Sequence, residues 1–212
     1  FLFLSFIAFT QLFGQTIPTY YSSVDFTLTG VPLKNQLATL ITNTHTNELT
    51  YGELWNALKI VDEDPANNSN VALIYGWPNT TTGQHAITRS KNSNGSNSGD
   101  WNREHTYAKS LGTPNLQEQG PGADAHHLRA SDVQWNNNRG SKKFAAGSGN
   151  SGNVGSNWYP GDNWKGDVAR MMMYMYVRYG TRCLPGNVGV GSTAGTPDGM
   201  IDLFLQWNVE DP

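Results

Sequence analysis

The stretch from Trp101 to Phe144 gathers the side chains best suited to chemistry. WNREHTYAKS (101–110) sets Glu104 directly against His105, between Arg103 and Lys109. Nineteen residues beyond His105 begins DAHHLRASDVQWNNNRGSKKF (124–144), with two more histidines, three consecutive asparagines and the cations Arg129, Arg139, Lys142 and Lys143. A magnesium-class cation prefers hard oxygen ligands, commonly one or two from protein, with water and phosphate filling the rest. Glu104 and one carbonyl from Asn136, Asn137 or Asn138 could form the protein share. A histidine beside that ion, neutral near pH 7, could take a proton from water as the water attacks phosphorus.

Those groups need elements that bring them together. WNREH reads as a strand, AHHLRA (125–130) as a second short strand, and Ser131 or Asp132 as the cap of a helix carrying Gln134 to Asn138. The predicted order is strand, loop, strand, helix. Neighbours in an ideal strand point to opposite faces, so Glu104 and His105 can converge only at a kink or strand end. His126 and His127 invite a zinc reading, but adjacent histidines seldom chelate one ion and no cysteine cluster assists. One of them fits the core and the other a supporting contact. WNNNRG standing alone would read as a turn.

Outside this segment, LKNQLATLITNTH (33–45) and TYGELWNALKIVDED (50–64) space apolar residues three and four apart, as helices do, and Thr50 with Glu53 forms a capping box. NVALIYGW (70–77) predicts a strand and a turn. The runs 92–100 and 147–157 read as polar loops. NWKGDVARMMMYMYVRY (163–179) is the strongest helix, its methionines filling core gaps rather than binding metal, with Asp167 and Arg170 able to pair on its surface. TPDGMIDLFLQW reads as a turn into a last helix, since Asp198 and Asp202 lack the further oxygen ligands of a calcium loop. Cys183, the single cysteine, cannot form an internal disulfide and reads as a buried structural thiol.

The 212 residues suffice for one core. The net charge of -3 gives no global sign of a nucleic-acid partner. Its distribution does: Arg89 to Lys143 holds eight Lys/Arg against five Asp/Glu, and the remainder six against twelve. The opening FLFLSFIAFTQLFGQ is too short for a bilayer span of roughly 20 residues and reads as the apolar part of a signal peptide over residues 1–15, N-terminally incomplete. Export to a secreted or periplasmic location is the expectation, with no stable membrane association of the mature form.

WNREH, DAHHLRASD, the N-x-x-R-G frame and KGDVARMMMYMYVRY, together with YGELWNAL early and FLQWNVEDP late, resemble the endonuclease I family of exported bacterial nucleases. The resemblance runs in order from about Leu33 to Pro212. It implies an α+β fold, a ββα-metal (His-Me finger) core embedded in a mainly helical domain spanning 16–212 and C-terminally incomplete. It also implies largely sequence-nonspecific, metal-dependent hydrolysis of DNA, or RNA, to 5′-phosphate ends. Carried over position by position, His105 matches the general base, Glu104 the carboxylate metal ligand and Asn136 the amide ligand, with Asn137 and Asn138 as neighbouring alternatives. Arg129 and Arg139 match basic positions, either of which could contact the scissile phosphate. Asp124 and His127 match supporting positions. The implied cofactor is Mg2+, with Ca2+ or Mn2+ as substitutes. Arg103, Lys109, Lys142 and Lys143 are further candidates for phosphate contacts. Asn208 stands where the family often carries a histidine after tryptophan. The rival classes are an exported glycan- or surface-binding module, suggested by seven tryptophans and nine tyrosines, and a phosphatase acting on small phosphomonoesters.

Overall fold

The computed structural model describes residues 18–212; the expected signal peptide at 1–15 lies outside the described residues. Helices and antiparallel strands are interspersed, an α+β arrangement. Helix α1 (Gly30–Thr44) is followed by α2 (Leu54–Val61), β1 (Glu63–Asp64), β2 (Asn67–Ala72) and β3 (Thr88–Ser90). Next come β4 (Trp101–His105), β5 (Leu128–Asp132) and α3 (Val133–Arg139), then β6 (Gly152–Val154) and β7 (Asn157–Tyr159). Helices α4 (Lys165–Tyr179), α5 (Pro185–Val188) and α6 (Asp202–Glu210) complete the chain. Strands β1, β2 and β3 form one sheet, β4 pairs with β5, and β6 pairs with β7.

Two apolar clusters flank the β4–β5 pair. Leu54 and Leu58 of α2 pack with Val71, Leu73, Trp101, Leu128 and Ala130 on one side. On the other, Met171, Met172 and Met175 of α4 pack with Phe144, Trp158, Trp135, Phe204 and Trp207. The methionines therefore fill core space, as their helical spacing predicts. Cys183 is buried, and Arg170 pairs with Asp167 at 2.8 Å. Among the described residues no helix is long and apolar enough to cross a membrane.

Three local expectations need revision. The helix predicted over 50–64 is shorter: the Thr50–Glu53 capping box forms, with Thr50 N–H donating to Glu53 at 2.8 Å, but α2 stops at Val61. Pro65 explains this, because a residue preceding proline is driven from helical to extended backbone, and Asp64 joins β1. The polar run 147–157 contains the start of a hairpin: Gly155, at φ +59°, makes the tight turn between β6 and β7. The second strand predicted at 125–130 is displaced to Leu128–Asp132, because Ala125 to His127 form a turn.

Candidate active site

Strand pairing brings the chemistry together. β4 and β5 run antiparallel with Glu104 opposite Arg129 and His105 opposite Leu128. Asp132 then caps α3, its Oδ1 accepting from Gln134 N at 2.8 Å and Trp135 N at 3.0 Å. The cap fixes where α3 starts, and so places Asn136 and Arg139, three apart, on one side of the helix. Glu104, His105, Asn136 and Arg139 all border one open cavity of about 300 Å³, together with Arg103 and Lys109. Arg103, Glu104 and His105, the last three residues of β4, thus all border the same cavity.

His105 is 9% exposed. Its Nε2 lies 2.9 Å from the carbonyl of Gly122; a carbonyl only accepts, so Nε2 carries the proton and Nδ1 keeps the lone pair. Burial first, then the neighbouring His127, pushes its pKa down to about 3, so the ring is neutral at pH 7. His127 is pinned alike, Nε2 against the Pro121 carbonyl at 2.6 Å, with its Nδ1 accepting from Tyr107 N at 3.3 Å. Consecutive carbonyls of one short turn thus set both tautomers. Residue 122 must be glycine for that turn to close, since a Cβ there would come within 2.0 Å of the Gln117 carbonyl oxygen.

Glu104 is buried, and its Oε1 receives the hydroxyl of Tyr75 at 3.0 Å and the guanidinium of Arg139 at 3.0 Å. Burial outweighs these and raises its pKa to about 7. Arg139 is wholly enclosed and also donates to the carbonyls of His105 at 2.9 Å and Thr106 at 2.7 Å, so it locks the end of β4. Asn136 donates from Nδ2 to Asn102 at 2.7 Å, which leaves its carbonyl oxygen without a hydrogen bond among the described residues. Asn137 is exposed and Asn138 accepts from Asn153; neither borders the cavity.

Most of the other expected residues lie away from the cavity. Arg129 pairs with Asp62 and does not line the cavity. Lys142 donates to the Asn138 carbonyl and Lys143 to that of Gly186 at 2.8 Å. Lys109 borders the cavity and pairs with Glu118 at 2.9 Å. Asp124 is buried, accepting from His126 Nδ1 at 2.8 Å and from the hydroxyls of Tyr174 at 2.9 Å and Tyr179 at 2.8 Å. His126 therefore faces Asp124 while His127 faces Pro121, and the adjacent histidines do not converge. Sequence reasoning missed Tyr75, Asn102 and the Gly122 carbonyl. Only the glycine before DAHH offered a signal.

A cavity with a neutral imidazole, a buried carboxylate and a free amide oxygen at its rim has the make-up of a hydrolytic enzyme site. Comparison with known proteins narrows the class: the Endonuclease I model matches residues 29–212, and the chain belongs to that family. The extracellular ribonuclease of Bacillus subtilis (strain 168) is 44% identical over 204 residues, covering 92% of this chain and 66% of that protein. The extracellular ribonuclease of Bacillus amyloliquefaciens is 42% identical over 223 residues, 96% of this chain and 73% of that one. No solved structure matches the chain.

Proposed function

We propose that this chain is an exported endonuclease that hydrolyses phosphodiester bonds in RNA or DNA with little regard to sequence. The observation that carries the reading is the His105 ring, held neutral with Nδ1 unprotonated at the cavity it shares with Glu104 and Asn136. In this mechanism His105 Nδ1 takes a proton from water as the water oxygen attacks phosphorus in line. The new P–O bond forms as the bond to the 3′-oxygen breaks; that oxygen departs as an alkoxide and takes a proton from solvent water, His105 returns the proton it took to solvent, and the products end in 5′-phosphates. The strands β4 and β5 with α3 read as the ββα core of a His-Me finger nuclease.

The donors fit a hard cation. Glu104 has one oxygen tied to Tyr75 and Arg139 and the other without a hydrogen bond among the described residues, and Asn136 Oδ1 is likewise free. A magnesium-class ion takes few protein ligands and retains water, so two such oxygens are a sufficient protein share. Glu104 and Asn136 would hold Mg2+, with Mn2+ or Ca2+ as substitutes, and the bound ion would stabilise negative charge on phosphate oxygens. Arg139 aligns Glu104 and the β4 terminus, Asp124 and His127 brace the turn behind His105, and Lys109 with Arg103 supplies positive charge at the cavity, while Lys142 and Lys143 would reach only nucleic acid extending beyond it. The names of the Bacillus relatives favour RNA among the substrates and an extracellular site of action.

Incubation of plasmid DNA and of RNA with the purified protein, in Mg2+ and in EDTA, tests this directly. Cleavage in Mg2+ alone, falling as salt screens phosphate contacts, is the expected result; binding without cleavage of either polymer rejects it. Substituting His105→Ala should cost about 10² to 10⁴-fold in rate with the fold intact. A parental rate in that variant would mean that the base lies elsewhere.

A further inference from the structure

Tyr51 and Trp55, the two aromatic residues of YGELWNAL, have so far no part in the site. Both end on Arg103. Its guanidinium carbon lies 3.7 Å from the Tyr51 ring centroid and 4.2 Å from that of Trp55, and its Nη1 donates to the Tyr51 carbonyl. Tyr51 also stacks on His105, with centroids 5.4 Å apart at 22°, and Trp55 meets Trp101 edge-on at 5.4 Å. Trp101, Arg103 and His105 are alternate residues of β4 and share one face of the strand. The turn leading into α2, with the first turn of that helix, thus covers that face with two rings.

The three arginines near the site differ in what they have left to give. Arg139 is wholly enclosed, its Nη1 and Nη2 engaged by Glu104 and two carbonyls. Arg129 is turned to Asp62. Arg103 borders the cavity, and the Tyr51 carbonyl is the only hydrogen-bond partner of its guanidinium among the described residues. A guanidinium flanked by aromatic faces keeps its charge, is attracted to the rings and loses rotational freedom. Its Nε is buried, and the N–H groups left on Nη1 and Nη2 form a planar fork suited to two oxygens of one phosphate.

We infer that Arg103 is the cation that grips a nonbridging oxygen of the scissile phosphate as negative charge builds there, and that Tyr51 and Trp55 are positioning residues acting through it. The inference rests on the nuclease reading above. Lysine at 103 would keep the charge but lose both the planar fork and much of the ring stacking, so it separates shape from charge.

The test is steady-state cleavage of a fluorogenic oligonucleotide in Mg2+ at low and moderate salt, with melting temperature measured for every variant. Arg103→Met should lower kcat by about 10² to 10³-fold, the cost of losing one aimed donor, and Arg103→Lys should fail to restore it, while KM changes little. Trp55 touches Arg103 but not His105, so Trp55→Leu should reduce kcat in the parental background and have little further effect on kcat in Arg103→Met. If Arg103→Lys keeps parental kcat, or if the Arg103→Met loss is confined to KM and disappears at low salt, Arg103 is a general electrostatic contact and the inference is overturned. Multiplicative losses in the Trp55/Arg103 pair would overturn the positioning role. A parental protein that does not cut removes the nuclease reading and this inference together; a parental protein that cuts with an indifferent Arg103 removes this inference alone.

Discussion

Glu104 and Asp124 are both buried carboxylates, and the protein treats them oppositely. Asp124 accepts from the backbone and Nδ1 of His126 and from two tyrosine hydroxyls. Burial opposes its ionisation, but these donors outweigh it and hold its pKa well below the usual carboxylate range. Glu104 has one hydroxyl and one ion pair, both on Oε1, and burial wins, raising it to about 7. A carboxylate saturated with donors is a structural anchor that ties the turn before β5 to α4. One left short of donors beside a cavity retains capacity for something outside the protein.

The sharpest way to break this contrast is Glu104→Gln. The amide keeps the shape and the Tyr75 contact but cannot offer an anion to a metal ion. Cleavage should fall by about 10²-fold or more and no longer respond to added Mg2+, while the melting temperature does not fall. Undiminished Mg2+-dependent cleavage would remove Glu104 from the site. The pH dependence has a definite sign. A carboxyl whose folded pKa is raised from 4.5 to about 7 contributes stability that is complete below pH 4.5 and is lost as pH rises through 7. In metal-free buffer the parental protein should therefore lose stability against Glu104→Gln across that window.

The site was legible in sequence where its signals are local. WNREH reads as a strand, Asp132 precedes a helix, and Asn136 and Arg139 share a helix face. Glu104, His105 and Asn136 accordingly meet at one cavity. Where Arg129 lies could not be read from its motif position, because its partner Asp62 reaches it from 67 residues away in the chain. Tyr75 had no signature at all: it comes from the turn after β2, in a left-handed backbone at φ +68° that a buried tyrosine seldom adopts. The Gly122 carbonyl is invisible for another reason, since backbone acceptors are the same at every residue and only the folded path aims one. The α4–α6 core was easier to read because it depends on apolar periodicity rather than on a few contacts.

Removing Tyr75's hydroxyl with Tyr75→Phe should act more mildly. It strips one of two partners from Glu104 while leaving the ring in the core, and losses of about tenfold in Mg2+ affinity or rate are usual for a contact of that kind. The Mg2+ concentration for half-maximal cleavage should rise and the maximal rate should change less. An unchanged Mg2+ titration would show that Arg139 alone orients the carboxylate.

Asp124→Ala should leave chemistry least affected and stability most. It orphans the part-buried hydroxyls of Tyr174 and Tyr179, at a cost of about 1–3 kcal/mol. For a chain of this size each kcal/mol lowers the melting temperature by about 2–4 °C. Because its folded pKa is depressed, the Asp124 contribution is present above the unfolded value of 3.8 and is lost as pH falls below it. The parental protein should therefore lose stability more steeply than Asp124→Ala as pH drops from about 5 to 3. Cleavage per folded molecule at pH 7 should stay within about threefold of parental, since the Gly122 carbonyl that holds His105 lies on a turn closed by its own contact with Gln119. A loss of rate comparable to that of Glu104→Gln, in protein still folded, would show that the anchor and the site are one unit and that donor saturation does not separate structural from reactive carboxylates here.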